Sequence, residues 1–326
     1  MTLSHAKPRL LVLVGPTAVG KTALSLEIAK SFGCEIISGD SMQIYRGMDI
    51  GTAKASPEER SVVPHHMIDI HDPDHSFSAA EFQERAHQLI TEITERGGLP
   101  FIVGGTGLYV ESLCYGFQFT DAGWDEPFRN AQQAFLEEHG EEALHEKLRQ
   151  TDPASAERLH PRDHRRIIRA LEVAHVTGKP LSAHLADQKK ESPFDLCLVG
   201  LTMDRAILYK RIEERIDVMI EQGLVEEVKG LLARGYNRSH ISMQAIGYKE
   251  IIDFVEGNTD YERAVELLKR NTRRYAKRQL SWFRHMHDIQ WVTVEEASNF
   301  SDVLQQIHAI IAGKFHPHAE YTTKRS

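Results

Sequence analysis

The segment that most constrains this chain is residues 15–22, which read Gly-Pro-Thr-Ala-Val-Gly-Lys-Thr. A short apolar run, residues 10–14, precedes it, and an amphipathic helical pattern over residues 21–32 follows it. A G-x-x-x-x-G-K-T motif between a strand and a helix is a phosphate loop. Its backbone N–H groups and the positive end of its helix attract an anion. The segment therefore predicts a site for a diphosphate or a triphosphate.

Each position of the loop has an expected role. Lys21 should reach the outer phosphate, and the Thr22 hydroxyl is suited to bind Mg²⁺. The backbone of the other six residues should surround the anion: Gly15, Pro16, Thr17, Ala18, Val19 and Gly20. The simpler alternative is a glycine-rich turn that carries a surface lysine.

The chain alternates strand and helix patterns before and after a helical stretch, which predicts an α/β fold with a doubly wound parallel sheet and an all-helical insertion domain. The predicted domains are a phosphate-loop core at 1–118, a helical insertion at 119–194, a continued core at 195–313 and a disordered tail at 314–326. The predicted strands are 10–14, 35–38, 99–103, 196–201 and 290–294, and the helices of the core are 21–32, 78–96, 204–222, 225–234, 260–286 and 300–312.

Composition limits the possible partners and the compartment. The 326 residues carry a net charge of −8, so any nucleic-acid site must be a local basic patch. Cys34, Cys114 and Cys197 are far apart, which indicates a reducing cytoplasm and no disulfide framework. No apolar run approaches the ~18 residues of a membrane helix. We therefore expect a cytoplasmic protein without membrane attachment, and a monomer.

Asp40 is the candidate catalytic acid. Hydrolytic phosphate-loop enzymes often carry an acid after a buried apolar strand, but the strand at 99–103 is followed by Gly104–Gly107 without one. Asp204 follows another strand, and its position is more typical of a helix N-cap. Asp40 follows the second strand, at the sheet edge where ligands bind. Its carboxylate is suited to coordinate Mg²⁺ or accept a proton. The alternative is that Asp40 only caps the loop at Ser41.

Two arginines near the start of the helix at 204–222 are candidates for holding a leaving diphosphate. Arg211 and Arg215 are four residues apart and share a helix face. The alternative is that both are solvated and paired with Glu213 and Glu214.

Residues 263–285 form a basic segment with eight cations and one acid, interleaved with aromatic residues. This pattern favours binding to a phosphate backbone. A second cluster lies in the helical insertion, and the two together suggest a polyanion held between two domains. Its members are Arg158, Arg162, Arg165, Arg166 and Arg169. The histidine-rich stretch at 64–75 reads better as a loop than as a metal site.

The motifs taken together resemble bacterial tRNA dimethylallyltransferases. The similar segments are residues 15–22, 38–46, 47–54, 103–109, 244–250 and 272–283, and the similarity runs in order from about residue 9 to 312. The resemblance implies transfer of the dimethylallyl group from dimethylallyl diphosphate to N6 of adenosine 37, next to the tRNA anticodon. It implies that the phosphate loop, with Mg²⁺ on Thr22, holds an isoprenoid diphosphate.

The resemblance also implies residue roles. Asp40 matches the general base, Lys21 and Arg215 would stabilise the departing diphosphate, and Thr106 matches a position beside the target nucleotide. The tRNA contacts implied are Asp40, Ser41, Met42 and Gln43, then Arg129, Arg165, Arg166, Ile167, Ile168 and Arg169, then Gln244, Ala245, Ile246, Gly247, Tyr248 and Lys249, and finally Arg273, Arg274, Lys277 and Arg278. The partner would be the anticodon stem-loop, whose unpaired bases are accessible to chemistry.

Three alternatives stay open. A nucleotide or small-molecule kinase would use the same loop but consume ATP. A soluble adenylate isopentenyltransferase would use free nucleotides, although the insertion and the basic segment favour RNA. A non-catalytic RNA-binding protein would not need Asp40.

Overall fold

The computed structural model describes residues 7–120, 123–186, 188, 191–295 and 299–315. Its six-stranded sheet has the order β3-β2-β4-β1-β5-β6, and all the strand pairs are parallel. The strands are β1 (Arg9–Val14), β2 (Cys34–Ser38), β3 (His65–His66), β4 (Leu99–Gly104), β5 (Asp195–Thr202) and β6 (Gln290–Thr293). The predicted α/β fold class is confirmed.

The central strand β1 organises the core. Leu10 to Val14 are at most 1% exposed, because β4 and β5 flank the strand in register and helices cover both faces. Parallel pairing brings the carboxyl ends of β1, β2 and β4 to the same edge of the sheet. The loops that follow these three strands are the phosphate loop, the Asp40 loop and the segment from Gly105 to Thr106.

The helices that accompany the sheet are α1 (Lys21–Phe32), α2 (Pro57–Val62), α3 (Ala79–Glu95), α4 (Gly107–Cys114), α9 (Arg205–Glu221), α10 (Leu224–Ala233), α11 (Tyr248–Val255), α12 (Tyr261–Phe283) and α13 (Phe300–Phe315). Ser78 and Glu81 form the capping box predicted for α3. The sequence did not predict α2, α4 and α11, since six to eight residues are too few to establish a helical period. Part of the predicted histidine loop is the strand β3, which the edge of β2 stabilises through pairing.

Two compact units make up the chain: Met1–Cys114 with Ser192–Ser326, called the core unit, and Tyr115–Glu191, called the helical unit. The helical unit contains α5 (Glu126–Thr151), α6 (Pro153–Arg158), α7 (His164–Thr177) and α8 (Leu181–Ala186). Helix α5 is interrupted at Gly140, whose φ of 82° is non-helical. The unit has its own apolar core, which includes Leu144, Leu148, Ile167, Ala170 and Leu171.

The end of the chain differs from the prediction. Helix α13 continues to Phe315, which is buried, so residues 314 and 315 are helical and the expectation of a disordered tail from 314 is wrong there. The rest of that predicted tail, 316–326, lies outside the described residues. None of the helices in the described part of the chain combines the length and apolar composition that crossing a membrane requires.

Candidate active site

The phosphate loop joins the end of β1 to the start of α1. Gly15 packs against β5, where a Cβ atom would lie 2.9 Å from the carbonyl oxygen of Leu201, so only glycine fits. Lys21 is the first residue of α1, and its Nζ donates to the carbonyl oxygens of Gly15 at 2.9 Å and Pro16 at 2.8 Å. The loop thus curls around its own lysine, which leaves the ammonium at the centre of the expected anion site.

Gln279 braces this loop, a role that the sequence did not predict. The Thr17 N–H donates to Gln279 Oε1 at 2.9 Å, and Gln279 Nε2 donates to the Gly105 carbonyl oxygen at 2.9 Å. Gln279 is 5% exposed, and a Cβ on Gly105 would lie 2.2 Å from its amide nitrogen. The signal in the sequence was an uncharged amide within the basic segment, which suggests a buried face.

Asp40 lies in the loop after β2. Its Oδ1 accepts a hydrogen bond from the Met42 N–H at 2.8 Å, so the carboxylate does cap its own loop. The next residue is tied to the end of β4, because the Ser41 N–H donates to Thr106 Oγ1 at 3.1 Å. Burial raises the pKa of Asp40, and the bond from Met42 and the charges of Lys21 and Arg215 oppose that rise. Capping and proton acceptance are therefore compatible.

Two half-buried cations, Lys21 and Arg215, act on Asp40. Burial, with the charge of Arg215 adding to it, lowers the pKa of Lys21 to about 7, and Asp40 partly opposes this. Burial also lowers the pKa of Arg215, again against the attraction of Asp40. The predicted alternative partners are engaged elsewhere: Glu213 binds Arg273, and Glu214 lies 4.0 Å from Lys210. Arg215 is thus directed to the site and not to its neighbours on α9.

Two cavities in the core unit share Asp40, Arg215 and Tyr275 in their walls. The first, of about 570 Å³, contains the phosphate loop with Lys21 and Thr22. The second, of about 300 Å³, has an apolar wall that includes Ile216, Met219 and Leu268, and it is also lined by Ser41, Met42 and residues 244–247. A carboxylate common to both cavities is placed to act between an anion in one and a second reactant in the other.

Three of the residues predicted to contact RNA have buried side chains. Ile167 and Ile168 are 0% and 8% exposed in the core of the helical unit, and Tyr248 is 0% exposed, so their side chains cannot reach RNA. The Tyr248 hydroxyl donates to Glu227 at 2.6 Å. Because these three side chains lie on packed faces, an RNA contact at these positions would involve the backbone, and it stays a prediction.

Gln43, on the predicted nucleotide-reading segment, has a defined orientation. Its Oε1 accepts from Ser38 Oγ at 2.9 Å, and its Nε2 donates to the carbonyl oxygens of Thr52 at 3.3 Å and Ala53 at 3.4 Å. These bonds fix the amide in the wall of the phosphate-loop cavity. Nucleotide contact by residues 41–43 and by Thr106 stays a prediction.

The basic segment on α12 is divided between paired and exposed cations. Arg273 binds Glu213 and Arg263 binds Glu266. Arg274, Lys277 and Arg278 are exposed. These three side chains are available for phosphate contact.

The predicted arginines of the helical unit differ in their exposure. Arg129 and Arg169 both bind Glu172, which is 0% exposed. Arg166 lies 3.0 Å from Asp163, and Arg165 is exposed.

Asp204 and the predicted metal site complete the comparison with the sequence. Asp204 is the N-cap of α9 and accepts from the N–H groups of Ala206 and Ile207, as predicted. Within the described residues, no group of three or more His, Cys, Asp or Glu side chains is arranged to hold a metal ion. A Mg²⁺ ion bound by Thr22 and phosphate oxygens would not need such a group.

Sequence comparisons identify relatives over nearly the whole chain. Residues 43–286 match the family described as IPP transferase. A tRNA dimethylallyltransferase from Bacillus mycoides strain KBAB4 is 54% identical over 301 residues, which are 92% of this chain and 95% of the relative. One from Geobacillus thermodenitrificans strain NG80-2 is 51% identical over 306 residues, 94% of this chain and 97% of the relative.

Solved structures show the same similarity. The full-length tRNA isopentenylpyrophosphate transferase from Bacillus halodurans superposes with a TM-score of 0.72 at 51% identity, covering 94% of this chain and 97% of the other. A eukaryotic dimethylallyltransferase acting on tRNA superposes with a TM-score of 0.81 at 29% identity, covering 97% of this chain and 82% of the other. The phosphate loop, the Asp40 loop and the two cavities lie within this shared length, and the chain belongs to the IPP transferase family.

Proposed function

We propose that this enzyme transfers the dimethylallyl group from dimethylallyl diphosphate to N6 of adenosine 37 of tRNA and releases diphosphate. The observation that carries the proposal is the position of Asp40, which lines both the phosphate-loop cavity and the cavity with an apolar wall. The relatives named above as tRNA dimethylallyltransferases support the substrate pair.

The proposed reaction forms one bond, breaks one bond and moves one proton. The N6 lone pair forms a bond to C1 of the allyl group, and the C1–O bond breaks with its electron pair leaving on diphosphate. Lys21 and Arg215 stabilise the negative charge that develops on that oxygen. The Asp40 carboxylate accepts the proton from N6, and burial, by raising its pKa, makes it a stronger base than an exposed carboxylate.

Mg²⁺ is part of the proposal. The Thr22 hydroxyl lines the phosphate-loop cavity, where oxygen ligands of the diphosphate would complete the coordination that Mg²⁺ prefers. Bound there, the ion would neutralise charge on the leaving group.

RNA would be bound through exposed basic side chains. The exposed cations Arg274, Lys277 and Arg278 on α12, and Arg165 on α7, are suited to phosphate contacts with an anticodon stem-loop. We propose a monomer that acts in the cytoplasm.

The test is incubation of the protein with dimethylallyl diphosphate, Mg²⁺ and an unmodified tRNA, followed by nuclease digestion and mass spectrometry. We expect a C5H8 addition on adenosine 37 and release of diphosphate without ATP. Free AMP as acceptor and ATP as donor are the comparison reactions. A requirement for ATP would favour the alternative that the protein is a kinase. Equal use of AMP as acceptor would favour the alternative that it is an isopentenyltransferase acting on free nucleotides.

A further inference from the structure

Trp124 is an exposed aromatic residue in the helical unit that the proposed chemistry does not use. It is 66% exposed and immediately precedes Asp125, the N-cap of α5. The guanidinium carbon of Arg129 lies 3.6 Å from the centroid of its ring. A guanidinium at that distance covers one face of the indole, and the large exposed fraction means that the other side of the ring faces solvent.

The side chain of Arg129 is fixed by an ion pair with the buried carboxylate of Glu172. Its Nε and Nη2 donate to the two carboxylate oxygens of Glu172 at 2.6 Å and 2.7 Å. The Asp125 N–H donates to the same carboxylate at 2.9 Å, which ties the backbone next to Trp124 to this pair. Burial favours protonation of Glu172, but the bonds from Arg129 and Arg169 prevail and lower its pKa to about 2. The carboxylate stays charged and the stack of Glu172, Arg129 and Trp124 is ordered in advance.

We propose that Trp124, backed by Arg129, is a stacking platform for one unpaired nucleobase of the RNA substrate. The inference rests on the proposed function for its choice of RNA and adds a base-contacting residue to it. Every base offers a π-face, and stacking on an aromatic ring that needs no reorganisation retains most of its free energy.

The charges around the platform favour a nucleobase over an apolar protein segment. Arg169 donates to the Gly123 carbonyl oxygen at 3.4 Å, beside Trp124, and Arg165 and Arg166 lie about one turn away on the same helix α7. An unpaired base is joined to phosphates on both sides, and these arginines supply positive charge where the phosphates would run.

The test measures binding of anticodon stem-loop RNA to the full-length protein and three variants. We expect about tenfold weaker binding for Trp124→Ala, the scale of losing one stacked base, and a small change for Trp124→Phe. Trp291→Ala, which truncates a 38% exposed tryptophan on β6, is the matched control and should bind as the unaltered protein does. Dimethylallyl diphosphate affinity should be the same in all of them.

Abasic substitutions identify the stacked base. Stem-loops that lack one base at each loop position are titrated against the protein and Trp124→Ala. One abasic position should weaken binding to the unaltered protein and cause no further loss in Trp124→Ala. Unchanged affinity of Trp124→Ala, or losses that add at every position, would overturn the platform. If the proposed function failed and the platform did not, RNA binding would still depend on Trp124, but no prenyl group would be transferred to the RNA.

Discussion

At the scale of single residues, Asp40 caps its own loop and occupies the position that we propose for the general base. One oxygen, Oδ1, accepts the Met42 N–H and orients the group. The carboxylate lines both cavities; burial raises its pKa, and the nearby charges of Lys21 and Arg215 oppose that rise. Removing its basicity while keeping its shape is therefore the informative change.

Asp40→Asn should lower kcat by about 10²- to 10⁴-fold, the contribution of a positioned general base. Affinity for tRNA should change little, since an amide oxygen still accepts from Met42. The measurement is single-turnover transfer beside RNA titration. Asp204→Asn is the control, because Asp204 also follows a strand but only caps α9, and asparagine caps as well. Normal turnover of Asp40→Asn would refute the general-base role.

Lys21 predicts a pH dependence. Its pKa is lowered to about 7, so in the free enzyme its charge is present below pH 7 and is lost as the pH rises above it. Affinity for dimethylallyl diphosphate should therefore decline from pH 6 to pH 9, less steeply than Lys21 loses charge, because bound anion raises the pKa again.

Calorimetry at constant ionic strength measures that affinity. Lys21→Ala should bind more weakly and lack the decline, and its profile corrects for titration of the ligand itself. Parallel pH profiles for the two proteins would show that Lys21 stays charged throughout.

At the scale of elements, α12 serves two tasks on two faces. Its buried face presents Gln279 to the Thr17 N–H and the Gly105 carbonyl, and its exposed face presents Arg274, Lys277 and Arg278. One helix thus braces the phosphate loop and carries the exposed cations that we propose contact RNA. Substitutions on the two faces should separate these functions.

Gln279→Leu should weaken dimethylallyl diphosphate binding and lower stability by roughly 1–3 kcal/mol, since the half-buried Thr17 N–H and the buried Gly105 carbonyl lose their hydrogen-bond partner. RNA affinity should be retained. Calorimetry with diphosphate ligand and urea unfolding measure the two effects. Gln290→Leu, at an exposed position that begins β6, is the control. Equal diphosphate affinity in the two variants would show that the brace is dispensable.

Lys277→Gln with Arg278→Gln should weaken tRNA binding and leave diphosphate affinity unchanged. The log–log salt dependence should become shallower by about 0.7–0.9 for each phosphate that the variant no longer neutralises. Affinities across a salt series provide the slope. Lys30→Gln with Lys229→Gln, exposed lysines on α1 and α10, should keep the original slope. An unaltered slope for the α12 pair would identify those cations as solvated surface.

At the scale of the whole molecule, each of the two units has buried apolar residues of its own. The core unit packs around β1, and the helical unit packs around its own cluster, to which Leu148 contributes with 0% exposure. Separate cores allow damage in one unit to be contained there.

Leu148→Ala should cost about 2–5 kcal/mol of stability within the helical unit. Hydrogen exchange followed by mass spectrometry should show faster exchange in α5 and α7, with β1 and β4 protected as before and diphosphate binding intact. Val12→Ala in β1 is the reciprocal variant. Faster exchange throughout the protein in Leu148→Ala would mean that the two units unfold together.

The sequence by itself determined the parallel sheet, the phosphate loop, Asp40 and the resemblance to the family. These rest on local information: a motif of eight residues, a strand that ends in an acid, and the alternation of periods along the chain. Residues close in sequence interact within one loop or one helix turn, so their chemistry can be read without the rest of the fold.

Only the tertiary structure decided which face of each helix is buried and which partner each charge has. Gln279 reaches Thr17 across 262 residues, Arg129 binds Glu172 across 43, and Ile167, Ile168 and Tyr248 turn into cores. A helical pattern identifies an apolar face but not the element that covers it, and a charged residue has many possible partners until the chain is packed. The pKa values of Asp40 and Lys21, which burial and neighbouring charges set, are therefore properties of the folded molecule. The exposure of Trp124 is another such property.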